Sequence, residues 1–273
     1  MKSNVIKYIF FIAVIIIVGV AVYIIYEDNK SNSENTENQT TAQTNQTITD
    51  LRMEIVSYDT INPLISNNRN VQEITKLVFE PLLQLDENYK LQPCLATEWA
   101  KSGDTSYILK LRSNVKWQDG TSFTAQDVKY TIETLKQVNS IYSYNVQHVT
   151  SVDIIDNYSI RINLDTVIPF FEYNLIFPIV SSAYFAGQDI QNTEKNNTPI
   201  GTGMYKIESN SDSTVVLKKN TSWWNISEKN AKVETINVNK YSSMAEAYNA
   251  FKLGNIDILT TENINIEDNI GTI

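Results

Sequence analysis

Residues 76–135 constrain the fold of this chain more than any other stretch. They read KLVFEPLLQLDENYKLQPCLATEWAKSGDTSYILKLRSNVKWQDGTSFTAQDVKYTIETL. An apolar segment meets the polar turn Asp86-Glu87-Asn88, and a proline-bearing segment then leads to Glu98-Trp99. Tyr107, Leu109 and Leu111 alternate with Ile108, Lys110 and Arg112, the period of a strand with one mostly apolar face. Asp119-Gly120 reads as a turn. Thr124 can cap a helix over residues 125–136, where Val128, Ile132 and Leu135 fall four and three apart on one face. Strand, turn and amphipathic helix in such close succession predict a mixed fold of α and β elements.

The flanks extend this pattern. Residues 51–57 alternate as a short strand and run into the turn Asp59-Thr60-Ile61-Asn62-Pro63. Asn70 and Glu73 are spaced as an N-terminal capping pair for a helix carrying Val71, Ile74, Leu77 and Val78 on one face, with Pro81 to stop it. Residues 152–155 and 158–164 flank Asp156-Asn157, a two-residue hairpin turn. Pro169-Phe170-Phe171 opens a short helix. A second hairpin is expected from residues 204–207 and 214–218, and a further strand at 233–241. Ser243 and Glu246 form a capping box for a helix with the stripe Met244, Ala247, Tyr248 and Phe251. Gly254 is placed to end that helix, and residues 256–259 read as a strand.

Several blocks of this chain stand in the order found in one known family. Phe79-Glu80-Pro81-Leu82-Leu83, Pro93, Leu95-Ala96, Glu98-Trp99, Leu111-Arg112, Val115-Lys116-Trp117, Asp119-Gly120 and Thr124-Ala125-Gln126-Asp127-Val128 make up the first group. Residues 200–207 (IGTGMYKI), Val216-Leu217-Lys218-Lys219-Asn220 with Trp223-Trp224, and residues 251–258 (FKLGNIDI) make up the second. Together they resemble the family 5 extracellular solute-binding proteins, the oligopeptide, dipeptide and nickel receptors of bacterial ABC importers. Met204 stands where that family often has Pro. The resemblance covers residues 51–259 and implies a mixed α+β fold: the first lobe of a two-lobed, periplasmic-binding-protein-like (type II) architecture. A small α/β subdomain at about 80–168 would be inserted into a sheet made by the flanking segments. Family members are about twice this length, so the resemblance implies that the C-terminal lobe is absent, through fragmentation or a truncated gene. It further implies a receptor that captures a peptide or other small solute by lobe closure and delivers it to an ABC permease, without covalent chemistry and without a cofactor.

The N-terminus carries its own signal. Lys2 and Lys7 precede an unbroken apolar run at residues 8–26, with Glu27 and Asp28 directly after it. At helical rise that run spans about 28 Å, the thickness of a bilayer's hydrocarbon core. The charge order places residues 1–7 in the cytoplasm and the rest outside, a single-pass membrane protein with an extracytoplasmic domain. The rival reading is a cleaved signal peptide, but the small residues Gly19 and Ala21 sit inside the run with apolar residues still to follow. No Cys ends the run to accept a lipid. Residues 27–49 are almost entirely polar and read as a disordered tether ahead of the binding lobe at 50–273.

Composition narrows the chemistry. The net charge of −9 and the lack of a basic cluster argue against nucleic acid. Cys94 and His148 are the only residues of their kinds, so zinc ligation and a nucleophile with a histidine base both lack their parts. Gly201-Thr202-Gly203 lacks the rest of a phosphate loop. Non-enzymatic binding is the reading, with a non-transport peptide sensor, a secreted hydrolase and an inactive fragment as rivals. The family resemblance implies ligand contacts from the loop after Pro63, namely Ile65, Ser66, Asn67 and Asn68, against the alternative of an ordinary solvated turn. It likewise implies Tyr142 and Tyr144 as aromatic residues near the cleft, against the alternative of core packing. Trp99, Trp117, Trp223 and Trp224 read as structural, and Cys94 as a small buried hydrophobe.

Overall fold

The structure, a computed structural model, describes residues 49–260. The apolar run at 8–26 and all of the polar stretch after it except Thr49 lie outside the described residues. Among the described residues no helix is long and apolar enough to cross a membrane. In chain order the elements are β1 (Asp50–Val56), α1 (Arg69–Thr75), β2 (Leu83–Leu85), β3 (Leu91–Pro93), β4 (Ala96–Lys101), β5 (Ser106–Leu111), α2 (Ala125–Leu135), α3 (Ser143–Val146), β6 (Val149–Asp156), β7 (Ser159–Leu164), β8 (Tyr205–Asn210), β9 (Thr214–Lys219), β10 (Thr235–Tyr241) and α4 (Met244–Lys252). Two short 3₁₀ turns, Phe171–Asn174 and Glu194–Asn197, fall between β7 and β8.

The strands form two four-stranded sheets and a ribbon. The first sheet has the order β1-β10-β9-β8, so the first strand of the domain joins strands from its end. Strand β1 runs parallel to β10 from Asp50 opposite Thr235 to Val56 opposite Tyr241. The other sheet, β4-β5-β7-β6, is antiparallel throughout and uses only the intervening sequence. Strands β2 and β3 pair as a separate ribbon. Period-two alternation explains the burial: Tyr107, Leu109, Ile160 and Ile162 turn inward from the second sheet, Val215, Leu217 and Val238 from the first. One buried cluster contains both sets.

Two polar devices join the halves of the sequence. Asp127 on α2 is buried, yet its carboxylate is saturated. Oδ2 accepts from the Thr124 backbone N–H at 2.8 Å and from Trp117 Nε1 at 3.2 Å, and Oδ1 accepts from the Ser182 N–H and hydroxyl, both at 2.8 Å. Gln118 is the second device. Its Nε2 donates to the Tyr205 carbonyl at 2.7 Å and its Oε1 accepts from the Gly201 N–H at 2.9 Å.

Some elements differ from the sequence expectation. Helix α1 is capped by Asn68 rather than Asn70: Asn68 Oδ1 accepts from Asn70 N at 2.8 Å and Val71 N at 3.2 Å. It also ends at Thr75, well before Pro81, because the chain turns at Leu77 and Val78 to meet the segment 201–205. The hairpin turn is Asn157-Tyr158, one residue later than expected, since Asp156 Oδ1 takes the Tyr158 N–H at 2.7 Å. No helix begins at Pro169; Phe170 is left-handed (φ 56°) and a 3₁₀ turn follows. Residues 256–259 do not form a strand beyond a single bridge of Met53 to Ile258. Two backbone N–H groups, of Asp257 and Ile258, donate to the Arg52 carbonyl, and side chains add Arg52 Nη2 to Asp257 Oδ1 at 2.6 Å and Glu54 Oε1 accepting from Thr260 N at 2.7 Å.

Gly201 shows how closely the halves approach. A Cβ at this position would lie 1.8 Å from the Val78 carbonyl oxygen, a backbone atom that cannot swing aside. The same approach lets Gly203 N donate to Val78 O and Tyr205 N to Leu77 O, each at 2.9 Å. Gly201→Ala is therefore expected to destabilise the domain by about 3 kcal/mol or more, the upper range for single substitutions. Urea unfolding checks this; a loss within that of an ordinary surface substitution would contradict the close-approach account.

Candidate functional site

A groove of about 800 Å³ opens where the β2–β3 ribbon, the end of α1 and the segment after β9 converge. Its floor is built around Glu80. This side chain is only 8 % exposed, and it accepts one indole N–H on each oxygen: Trp223 Nε1 to Oε1 at 3.0 Å and Trp224 Nε1 to Oε2 at 2.9 Å. The two indoles meet edge to face, with centroids 5.8 Å apart. Arg112 lies over Trp224, its Cζ 4.2 Å from the ring centroid, and its Nε donates to the Cys94 carbonyl at 2.6 Å. Pro81, Pro93 and Pro178 add apolar wall.

Tyr142 stands at the other end. Its hydroxyl donates to Gln72 Oε1 at 2.9 Å, while Gln72 Nε2 donates to the carbonyls of Pro63 (3.0 Å) and Ser66 (2.8 Å). Gln72 is buried and uses both amide protons on the loop after Asn62. A single side chain thus connects that loop to the groove wall. Burial, and secondarily the charge of Glu73, pushes the Tyr142 phenol up to about 12.

Of the six residues expected from sequence, Tyr142 alone lines this groove. Ile65 packs half-buried against the core. Ser66 is fully buried and its hydroxyl donates to Asp59 Oδ1 at 2.7 Å. Asn67 is exposed, with its backbone N–H on Asp59 Oδ2 at 2.8 Å. Asn68 is committed to capping, and its amide donates to the carbonyls of Val56 (2.8 Å) and Ser57 (2.6 Å). The side chains of Ser66 and Asn68 are thus engaged in shaping the loop and capping the helix. Tyr144 is 74 % exposed and lies neither in the core nor in the groove.

Glu80, Arg112 and Trp224 stand within the recognised sequence blocks, but nothing in their spacing marks them as neighbours. Gln72 carried no signal at all. Trp117 and Trp223 are buried as expected, whereas Trp99 and Trp224 are only partly so. Cys94 is buried beside the groove, and desolvation drives its thiol pKa far up, so it is inert as a nucleophile. His148 sits at a turn with Nδ1 3.0 Å from Asp165 Oδ1. Among the described residues no cluster of side chains is arranged to hold a metal ion.

Comparison with known proteins places this architecture. Residues 90–270 match the family described as bacterial extracellular solute-binding proteins, family 5 middle, and the chain belongs to that family. The glutathione-binding protein GsiB of Escherichia coli strain K12 is 28% identical over 172 residues, covering 62% of this chain and 34% of its own length. The GsiB of Shigella boydii gives the same identity and coverage. Among solved structures, NikZ from Campylobacter jejuni in complex with Ni(L-His) superposes with a TM-score of 0.69 at 28% identity, covering 77% of this chain and 43% of its own. The oligopeptide-binding protein AppA from Bacillus subtilis, in complex with a nonapeptide, gives a TM-score of 0.68 at 22% identity, a likeness of fold, and covers 77% and 43%. The chain thus spans about a third of the length of the curated relatives and under half of these structures.

Burial raises the pKa of Glu80, an effect that the two indole N–H groups and the charge of Arg112 only partly oppose. An acid whose pKa is higher folded than unfolded binds more protons in the native state above its ordinary value of 4.5, so it contributes less stability as pH rises from there. Glu80→Gln turns an amide N–H toward an indole N–H and is expected to destabilise by about 1–3 kcal/mol. The stability gap between wild type and Glu80→Gln should be widest near pH 4 and narrow toward pH 7, as read by urea unfolding across that range. A gap that widens with pH would contradict the assignment. Tyr142→Phe leaves Gln72 Oε1 without its donor and is expected to cost about 1–3 kcal/mol by the same measurement, with no change in secondary structure by circular dichroism.

Proposed function

We propose that this chain is the first lobe of an extracytoplasmic solute receptor for an ABC importer, with peptides as the solute class. Membership of family 5 carries the reading. The groove supports it: indole and proline walls give tolerant apolar contact, and the polar groups are few and held in place. The glutathione-binding protein GsiB among its similar proteins supports a peptide as the solute class. Capture proceeds by closure against a second lobe, for which the greater length of the relatives leaves room. Tyr142 contributes from the groove wall, and the loop 65–68, tied to that wall through Gln72, offers the exposed Asn67. Residues 8–26 serve as the anchor that holds the receptor at the outer face of the cell membrane.

One wall leaves the ligand's other face in water. Each hydrogen bond contributes only about 0.5–1.5 kcal/mol, whereas association costs about 4–15 kcal/mol. The 273-residue chain is therefore expected to bind di- to hexapeptides at about 1 mM or more weakly, near −4 kcal/mol. Isothermal titration of the full chain in neutral detergent is the check. Micromolar binding by monomer would show that a single wall is a complete site.

A further inference from the structure

The groove has one cation on its floor; it acts electrostatically on Glu80, but its outer nitrogens make no hydrogen bond among the described residues. Arg112 is half-buried. Its Nε is fixed on the Cys94 carbonyl at 2.6 Å and its Cζ lies over the Trp224 ring, 4.2 Å from the centroid. Among the described residues nothing accepts a hydrogen bond from its two Nη nitrogens, and no carboxylate lies within ion-pair distance of it. The other charges of the groove are otherwise engaged or at its edge. Lys76 is paired with Glu73 at 2.7 Å, and Glu228 and Lys229 stand side by side, exposed, on the rim. The nearby anion, Glu80, gives both oxygens to indoles.

A guanidinium stacked on an aromatic face and pinned through Nε has lost its freedom before any ligand arrives. Its outer edge, with parallel N–H donors, matches the two oxygens of a carboxylate. We propose that Arg112 is the groove's carboxylate receptor, so that solutes are recognised through a free carboxylate, a peptide's C-terminus or an acidic side chain. Trp224 acts as the shelf that orients Arg112, and Glu80 holds the shelf. This assignment rests on the solute-binding reading above and narrows its ligand class. The protein's overall charge of −9 would repel such ligands, so their selection needs a local cation of this kind.

The test is two-dimensional NMR of the full chain in neutral detergent, following the Arg112 Nε–H and the Trp223 and Trp224 indole N–H signals. The probes are acetate, tri-alanine and tri-alanine amide. Acetate and tri-alanine are expected to shift the Arg112 and Trp224 signals, and the amide to bind about tenfold more weakly than the acid. Arg112→Lys keeps the charge but not the fork, and is expected to abolish most of the preference for acid over amide. Equal binding of acid and amide by the wild type would overturn the carboxylate assignment while leaving the groove as a solute site. If no probe moves any groove signal at concentrations well above the millimolar range, the carboxylate assignment falls, while the solute-binding reading, which already expects weak binding by a single wall, does not. The wild-type comparison decides the matter even where Arg112→Lys does not fold.

Discussion

Glu80 is the constraint on which the groove depends. A buried carboxylate is costly unless its lone pairs are met, and here both are met by indoles from a segment 143 and 144 residues further along the chain. That pair of bonds sets the tilt of Trp223 and Trp224. The tilt of Trp224 in turn provides the face on which Arg112 lies. Glu80, Arg112 and the Trp223–Trp224 pair, far apart in sequence, thus form one chain of contacts, and the β2–β3 ribbon and the end of α1 close around it. Removing one member leaves its neighbour in that chain with an unmet polar or stacking partner.

Asp127 repeats the same solution on the other side of the core. It too is buried, and it too is satisfied by neutral donors: an indole, a hydroxyl and two backbone N–H groups. Neither carboxylate has a cation at ion-pair distance. Their contribution is geometrical, because each accepts only from donors aimed along particular directions. Asp127 ties α2 to Trp117 and to the segment at Ser182, and Gln118 beside it reaches Gly201 and Tyr205. The close approach of Gly201 to Val78 completes the junction between the two sheets. The groove lies along this junction, so its shape follows from contacts that also hold the domain together.

Local chemistry in the sequence carried much of the fold. The Thr124 start of α2, the Ser243 start of α4 and the alternation of β5, β7 and β9 were all legible, because caps and period-two patterns act over a few residues. The strands β2, β3 and β4 were not legible. They are short and partly exposed, and they pair through backbone bonds that leave no periodic trace. The cap of α1 was placed at Asn70 because Glu73 sits three residues on; the structure uses Asn68, whose amide also reaches Val56 and Ser57 across a turn. The site was less legible than the fold. Tyr142 reaches the groove only because Gln72 holds it, and no spacing rule links residues 70 apart. Ser66 and Asn68 were expected near the ligand from the family resemblance alone; their hydrogen bonds close the loop on Asp59 and cap the helix, which no local pattern in the sequence revealed.

Solute is expected to meet this domain in the groove floored by Glu80, Arg112 and Trp224. Hydrogen–deuterium exchange of the full chain, with and without saturating tri-alanine, tests it without substitution. Binding in the groove should slow exchange in the segments 72–85 and 223–229 and leave the β6–β7 hairpin unchanged. Protection confined to other surfaces, with these two segments exchanging as before, would contradict the account.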